Sequence, residues 1–415
     1  MSGEHLDHAD IVIVGAGPAG LSAAVRLRRR GLGRVVVLDR EPSAGGIPRH
    51  CGHYPFGVRE FGRLMKGPAY ARRNVAYTRA AGVEVITGAT VTALGEGPVL
   101  TLSMADGVRS ISASRVLLST GVRETSRAQR MIGGTKPAGV ISTGALQGLV
   151  HLQSLRPFCR PVVLGTELVS FSALMTCRHL GIRPVAMIEP NGMTTARAPA
   201  GIFPRLLGIP LLLGTQIEEI RGRDRVEAVV VRRRSGSTQT IEADGVIVSG
   251  QFRPEAALLK NSHLRIDPGT GGPQVDQYGR CSDPNYFAAG NMLHPVETAG
   301  WCWREGQAVA DAIADSLEGR IPLPEGALRL AIEPDPLKYV VPQVIVPGEG
   351  TAPLGRLQIR LSKPARGRLV LTAANGDTTM LDRVDNRPER RIIVPIKRLK
   401  AVDAGEARIA IEEGR

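Results

Sequence analysis

A chain of 415 residues with 43% hydrophobic content is long enough for two or three cores at about 150 residues each, and its formal charge of +14 is carried mostly by arginine. No uninterrupted apolar run approaches the roughly 18 residues of a membrane span, and MSGEHLDHAD lacks a basic start followed by an apolar stretch, so a cytoplasmic location is expected. Five cysteines without a CxxC pair argue against a dithiol, an iron–sulfur cluster or a structural zinc, so no metal is expected; only 4% aromatic residues argue against a stacking platform for nucleic acid.

Ile11 to Gly20, IVIVGAGPAG, describes a buried strand entering a glycine turn that opens a helix running to about Arg30. Gly15 permits the turn, Gly17 leaves bare backbone for a pyrophosphate, and Gly20 lets the helix pack close to its strand. Pro18 and Ala19 open the helix, whose free N–H groups and positive dipole end suit phosphate. The next strand, residues 34–38, ends in Asp39, placed to accept hydrogen bonds from an adenosine ribose, with Arg40 after it as a further cofactor contact. The arginine runs at 26–30 and 232–234 read as solvated charge at a helix end and a strand end.

A glycine-rich loop at 43–57, a helical region at 58–81 and a strand at 83–86 follow. Strands at 99–104 and 109–112 flank Asp106-Gly107 as a hairpin, before an apolar strand at 116–119. In the loop, His50, Cys51 and His53 are the catalytic candidates: histidine moves protons near neutral pH, and a cysteine between two histidines favours a stabilised thiolate.

Residues 161–244 repeat the plan of strand, turn, helix and strand, with a hairpin after it, which reads as an internal duplication. Here the glycine turn is damaged. Gly165, Thr166, Glu167, Leu168, Val169, Ser170 puts a carboxylate at the close-approach position, and at about 5 Å from a phosphate this costs roughly 3 kcal/mol at an effective dielectric near 20. NAD(P)H binding is therefore disfavoured, although Glu189 still ends the next strand at the ribose-acid position. From 245 the chain is expected to return to the first unit through the strands GVIVSG and YFAAGN and a closing helix at 305–317.

A proline-rich linker, IPLPEGALRLAIEPDP, then leads to alternating strands around Asn375-Gly376, a small β-domain. The expected architecture is α/β: a dinucleotide-binding domain in two parts (1–156 and 245–322), a second Rossmann-like domain inserted at 157–244, and a C-terminal β-domain at 335–415.

VLLSTGVRE (116–124) and YFAAGN (286–291) resemble the second and third motifs of the two-dinucleotide flavoproteins, the class of the pyridine-nucleotide disulfide reductases. The resemblance implies FAD in the first cradle, with Thr120, Gly121, Gly290 and Asn291 beside it, a backbone contact to adenine near Val91, and the Gly46 loop passing along the flavin. Asn291 stands where the class has aspartate, which keeps a hydrogen-bonding group and removes a charge. Glu297-Thr298-Ala299-Gly300 opens the last helix and is expected to face the flavin, while Trp301 and Trp303 either wall its cavity or fill a junction. GGIPRHCGHYPFGVREFG, KGPAYARR and SHLRIDPGTGGPQVD extend the likeness to a bacterial subfamily of flavoproteins. That subfamily includes the flavoprotein associated with glycerol-3-phosphate dehydrogenase, a flavoprotein component of hydrogen cyanide synthase, and the α subunits of opine oxidases and dye-linked proline dehydrogenases.

The resemblance implies an FAD-dependent oxidoreductase that forms one part of a hetero-oligomer. Electrons would pass from a small amine, imino acid or alcohol, directly or through a second flavoprotein, to an acceptor other than NAD(P). Two alternatives stay open: an NAD(P)H-dependent reductase, and a flavin-bound assembly component. Several α subunits carry a cysteine-rich C-terminal region; here no cysteine follows Cys302, so the β-domain docks a partner or caps the FAD domain.

Overall fold

The computed structural model describes residues 5–295, 297–348, 352–388, 390–399 and 404–412; the first four residues of the N-terminal stretch lie outside this set. The strand His5–Val14 lies between Val35–Asp39 and Gly107–Leu118, parallel to both, and Glu84–Thr87 and Tyr286–Ala288 extend the parallel sheet on either side. Side chains of Val12, Val14, Val36 and Leu38 enter one core and those of Ile11, Ile13, Val35 and Val37 the other, so the strands are apolar on both faces. The second of these cores is closed by the helices Pro18–Arg29 and Ala299–Leu317.

Those helices meet where Gly306 faces Ala19: a Cβ on Gly306 would lie 2.2 Å from the Ala19 carbonyl oxygen. Their flanks are tied by Arg26 to Asp311 at 2.8 Å and by Arg30 to Asp311 and Asp315 at 3.0 and 2.7 Å. Part of the first arginine run is thus a helix–helix ion-pair seam and not simply solvated charge.

The expected hairpin forms, but its second strand continues to Leu118, so the apolar segment at 116–119 is the end of that strand. Thr90–Leu94 adds a further antiparallel strand, and the helical region divides into Val58–Phe61 and Gly67–Ala80.

The second Rossmann-like sheet has the order Leu211–Leu213, Ala186–Glu189, Pro161–Leu164, Gly245–Val248, Val140–Ser142, all parallel. This corrects two boundaries. Gly245–Val248 pairs with Pro161–Leu164 and not with the first sheet, and Val140–Ser142 and the helix Thr143–Gln153 belong to the same layer. Cuts at 156/157 and 244/245 would sever a sheet whose hydrogen bonds cross both. The crossing between the two sheets is instead made by a short antiparallel ribbon, Val122–Arg123 against Arg253–Pro254.

The C-terminal region forms a five-stranded and a three-stranded sheet around its own core. It begins inside the expected linker, because Leu328–Ile332 pairs in parallel with Gly405–Glu412. Tyr339, Val341 and Leu354 are buried in the first sheet's core, and two side-chain amides cross the junction: Gln343 Oε1 accepts from Val275 N–H, and Gln277 both donates to Val346 O and accepts from Val346 N–H.

Candidate active site

Each glycine of the first cradle meets a different constraint. Gly15 has φ +108°, and a Cβ there would sit 2.5 Å from the Ser119 carbonyl oxygen; a Cβ on Gly20 would sit 2.1 Å from the Gly15 carbonyl oxygen. Around Gly17 there is open space, and this residue starts the Pro18–Arg29 helix with neither a side-chain cap nor an acid in its first turn. The helix therefore presents unsatisfied N–H groups to an anion. Asp39 braces the turn from the side, its carboxylate accepting from Ala16 N–H at 2.7 Å and from Glu41 N–H at 2.9 Å, and each oxygen keeps a further lone-pair site.

Other candidates converge here. Gly46 lies against Gly17, a Cβ on it falling 2.8 Å from the Gly17 Cα; Gly290 abuts Ala19; Thr120 Oγ1 donates to Glu255 O at 2.9 Å and lies 3.3 Å from Met292 Sδ. Gly121 has φ +74° with open space around it. Val91 is a buried residue of the strand that follows Ala89, whose N–H donates to Asp39 O at 2.9 Å. Arg40 is an exposed side chain 3.8 Å from the Glu255 carboxylate.

Asn291 is engaged on both sides of its amide. Its Oδ1 accepts from Glu297 N–H at 2.7 Å and its Nδ2 donates to Glu297 O at 3.1 Å, a two-way bond that an aspartate could make only in half. Behind it His294 Nε2 meets Glu305 Oε1 at 2.6 Å, and Glu305 Oε2 accepts from Gly290 N–H at 2.6 Å. Burial opposes a charge on His294, but the adjoining Glu305 outweighs it and lifts the imidazole above its ordinary range.

The catalytic candidates are placed differently from expectation. Cys51 is buried, with Sγ 3.5 Å from Ile47 O and 3.6 Å from Gln147 Oε1, and burial pushes its thiol up to about 12. It is a neutral thiol near neutral pH, and the expected stabilised thiolate is corrected on that ground. His50 is buried beside it, lowered by desolvation and then by Arg49. His53 points elsewhere, bonding its neighbour's carbonyl, Tyr54 O, at 2.9 Å. Arg59 and Glu60 cover Gly300 at the start of the last helix.

The second cradle is filled by its own side chains. Gly165 keeps the turn, with φ +109°, but the Glu167 carboxylate lies over Gly250 and accepts from Gln251 N–H at 2.7 Å. Burial raises Glu167, while Gln251 N–H and the Arg130 and Lys338 charges pull it down. Glu189 is only 3% exposed: it receives Thr166 Oγ1–H, Asn191 N–H and Nδ2–H at 3.0 and 2.7 Å, and Thr195 Oγ1–H at 3.3 Å.

Residues 9–313 match the family model "Pyridine nucleotide-disulphide oxidoreductase". The chain belongs to that family. An opine oxidase component of Agrobacterium tumefaciens (strain Ach5) is 33% identical over 343 residues, covering 76% of this chain and 64% of that protein. The sarcosine oxidase α subunit of Rhizobium meliloti (strain 1021) is 24% identical over 82% of this chain and 34% of its own length. The chain thus spans between about a third and two thirds of these curated relatives. Among solved structures, T. acidophilum thioredoxin reductase shares the fold with a TM-score of 0.62 at 23% identity, over 75% of this chain and 99% of that one. P. horikoshii L-proline dehydrogenase superposes with a TM-score of 0.58 at 18% identity, over 78% and 58%. FAD is the cofactor this family's fold implies, and the uncapped helix, open Gly17 and braced Asp39 fit it. Sequence reasoning missed the Glu297 cluster, because its partners Arg360 and Arg391 come from the C-terminal sheets, far along the chain. Among the described residues no helix is long and apolar enough to cross a membrane.

Proposed function

We propose that the chain is the FAD-bearing component of a dehydrogenase or oxidase that takes electrons from a small amine, imino acid or alcohol, directly or through a partner flavoprotein, and passes them to an acceptor other than NAD(P). The observation that carries this is the contrast between the two cradles. In the first, backbone donors and bare glycine face open space; in the second, Glu167 covers the phosphate position and Glu189 is consumed by its own loop. The relatives' names, which describe parts of opine and sarcosine oxidases, support a partnered enzyme with an amino-acid-like donor.

FAD, when bound, supplies two-electron acceptance. The chain's own part is to bind the diphosphate at Gly17 and the Pro18–Arg29 helix, to hold the ribose at Asp39, and to present a second uncapped helix start at Thr298–Ala299, a positive dipole end suited to an electron-rich reduced ring. Cys51, neutral and buried, positions the loop against Gln147. Anaerobic titration of the yellow protein with L-proline, sarcosine, an opine and glycerol 3-phosphate, with and without its partner, tests the reading. Bleaching by one of these but not within seconds by NADH or NADPH is expected; rapid bleaching by a nicotinamide nucleotide, or none by any donor, overturns it.

A further inference from the structure

Trp301 stands at the start of the last helix with 37% of its surface exposed, and three guanidinium groups gather on its ring: Arg391 at 4.8 Å, Arg59 at 4.9 Å and Arg304 at 5.9 Å from the centroid. The attraction between a guanidinium and the indole ring does not use the N–H donors, which stay available to hydrogen-bond acceptors. Arg391 is further fixed from behind. Its Nε meets the buried Glu297 carboxylate at 3.2 Å and its Nη1 donates to Gln358 Oε1 at 2.7 Å, which leaves Nη2 without a partner among the described residues. Glu297 also meets Arg360, at 2.9 Å. Arg59 and Arg304 are exposed and make neither an ion pair nor a side-chain hydrogen bond among the described residues. Glu60, beside Arg59, accepts from Tyr70 O–H at 2.7 Å.

Three guanidinium groups therefore gather on one indole, and Arg391, largely buried, is held in place with an edge that no described residue takes. We infer that this cluster, assembled jointly by the last helix, the Val58–Phe61 turn and the C-terminal β-region, is a binding site for the oxyanion of a small molecule. A carboxylate or a phosphate fits the guanidinium edges, since each offers a pair of oxygens that arginine grips through paired N–H groups. The site deepens the proposed function by making the electron donor an anion, and in that respect rests on it. It also gives the C-terminal β-region a part in ligand recognition, through Arg391.

Trp301 and Trp303 are the two tryptophans of the chain, so holoenzyme carrying Trp303→Phe has a single reporter at the site. Its fluorescence is titrated with acetate, L-proline and inorganic phosphate, and with acetamide and L-prolinamide as counterparts lacking the carboxylate. Saturable change with acetate or L-proline but not with the amides is expected, and saturation by phosphate alone assigns the site to phosphate esters. Arg391→Gln should weaken binding about tenfold or more, with Arg304→Gln and Arg59→Gln as surface variants that keep the buried cluster intact and weaken it less. No saturable change with any of the three anions, equal response to the amides, or unaltered affinity in all three variants overturns the inference. Saturable binding without bleaching by any candidate donor upholds the site and tells against the electron-donor reading alone.

Discussion

At the scale of single residues, Gly17 and Gly20 make opposite predictions although they stand three apart in one turn. Nothing lies within 4 Å of a Cβ on Gly17, and its φ of −83° suits any residue, so Gly17→Ala should leave the melting temperature of the flavin-free protein unchanged while weakening FAD binding at least tenfold. Gly20→Ala drives a methyl into the Gly15 carbonyl, backbone that cannot swing aside, and should destabilise the flavin-free fold by about 1–3 kcal/mol. Thermal melts with and without FAD separate the two; equal losses in the flavin-free protein would show that Gly17 is structural. The His294–Glu305 pair carries a pH prediction. Because the folded imidazole is raised above its unfolded value of about 6.5, its stabilisation is complete below that pH and is lost as pH climbs through the folded value. The wild type should therefore gain most over His294→Asn on the acid side; an advantage that grows with pH contradicts the pairing.

Among the elements, the second cradle shows how a nucleotide site is lost in more than one place. Replacing Glu167 by glycine clears the carboxylate from Gly250, but Glu189 stays bound to Thr166, Asn191 and Thr195, and a ribose would have to displace those bonds. Glu167→Gly alone should therefore show no NADH binding in the millimolar range by fluorescence titration; tight binding would mean that Glu167 was the sole obstacle. The first half of this was legible in the sequence, since Glu167 falls at a position where the spacing demands glycine. The second half was not: residues 191–196 carry no motif, and only the fold brings them back over Glu189. The same limit explains the misplaced Gly245–Val248 strand. An apolar run of four tells that a strand is buried on both faces, not which sheet it completes, and two neighbouring parallel sheets of similar composition offer it equally good faces. Asp39 and the glycine turn were legible because their chemistry is local; the Glu297 cluster was not, because its arginines arrive from another layer.

For the whole molecule, the question is whether the C-terminal β-region is an appendage or part of the enzyme's body. It has its own core, around Leu357, Ile359, Leu369 and Leu371, which would let it fold as a separate unit. Against that, Tyr339, Val341 and Leu354 are buried in the core of the first sheet, at about 1.5–3 kcal/mol for an aliphatic or aromatic side chain fully removed from water. The side chains of Gln277 and Gln343 add three hydrogen bonds to backbone groups that would otherwise be stranded at the junction. Glu297 adds a buried charge, and removing both of its arginines leaves it unpaired, a loss of the kind that costs about 3–5 kcal/mol. These terms together approach the whole net stability of an ordinary domain, about 5–15 kcal/mol. A chain ended at residue 322 should therefore lose FAD and aggregate, and the full chain should melt by calorimetry with the first sheet and the β-region in one transition. A shortened chain that stays yellow at an unchanged melting temperature, or a β-region that unfolds separately, would show the junction to be a mere contact between independent bodies.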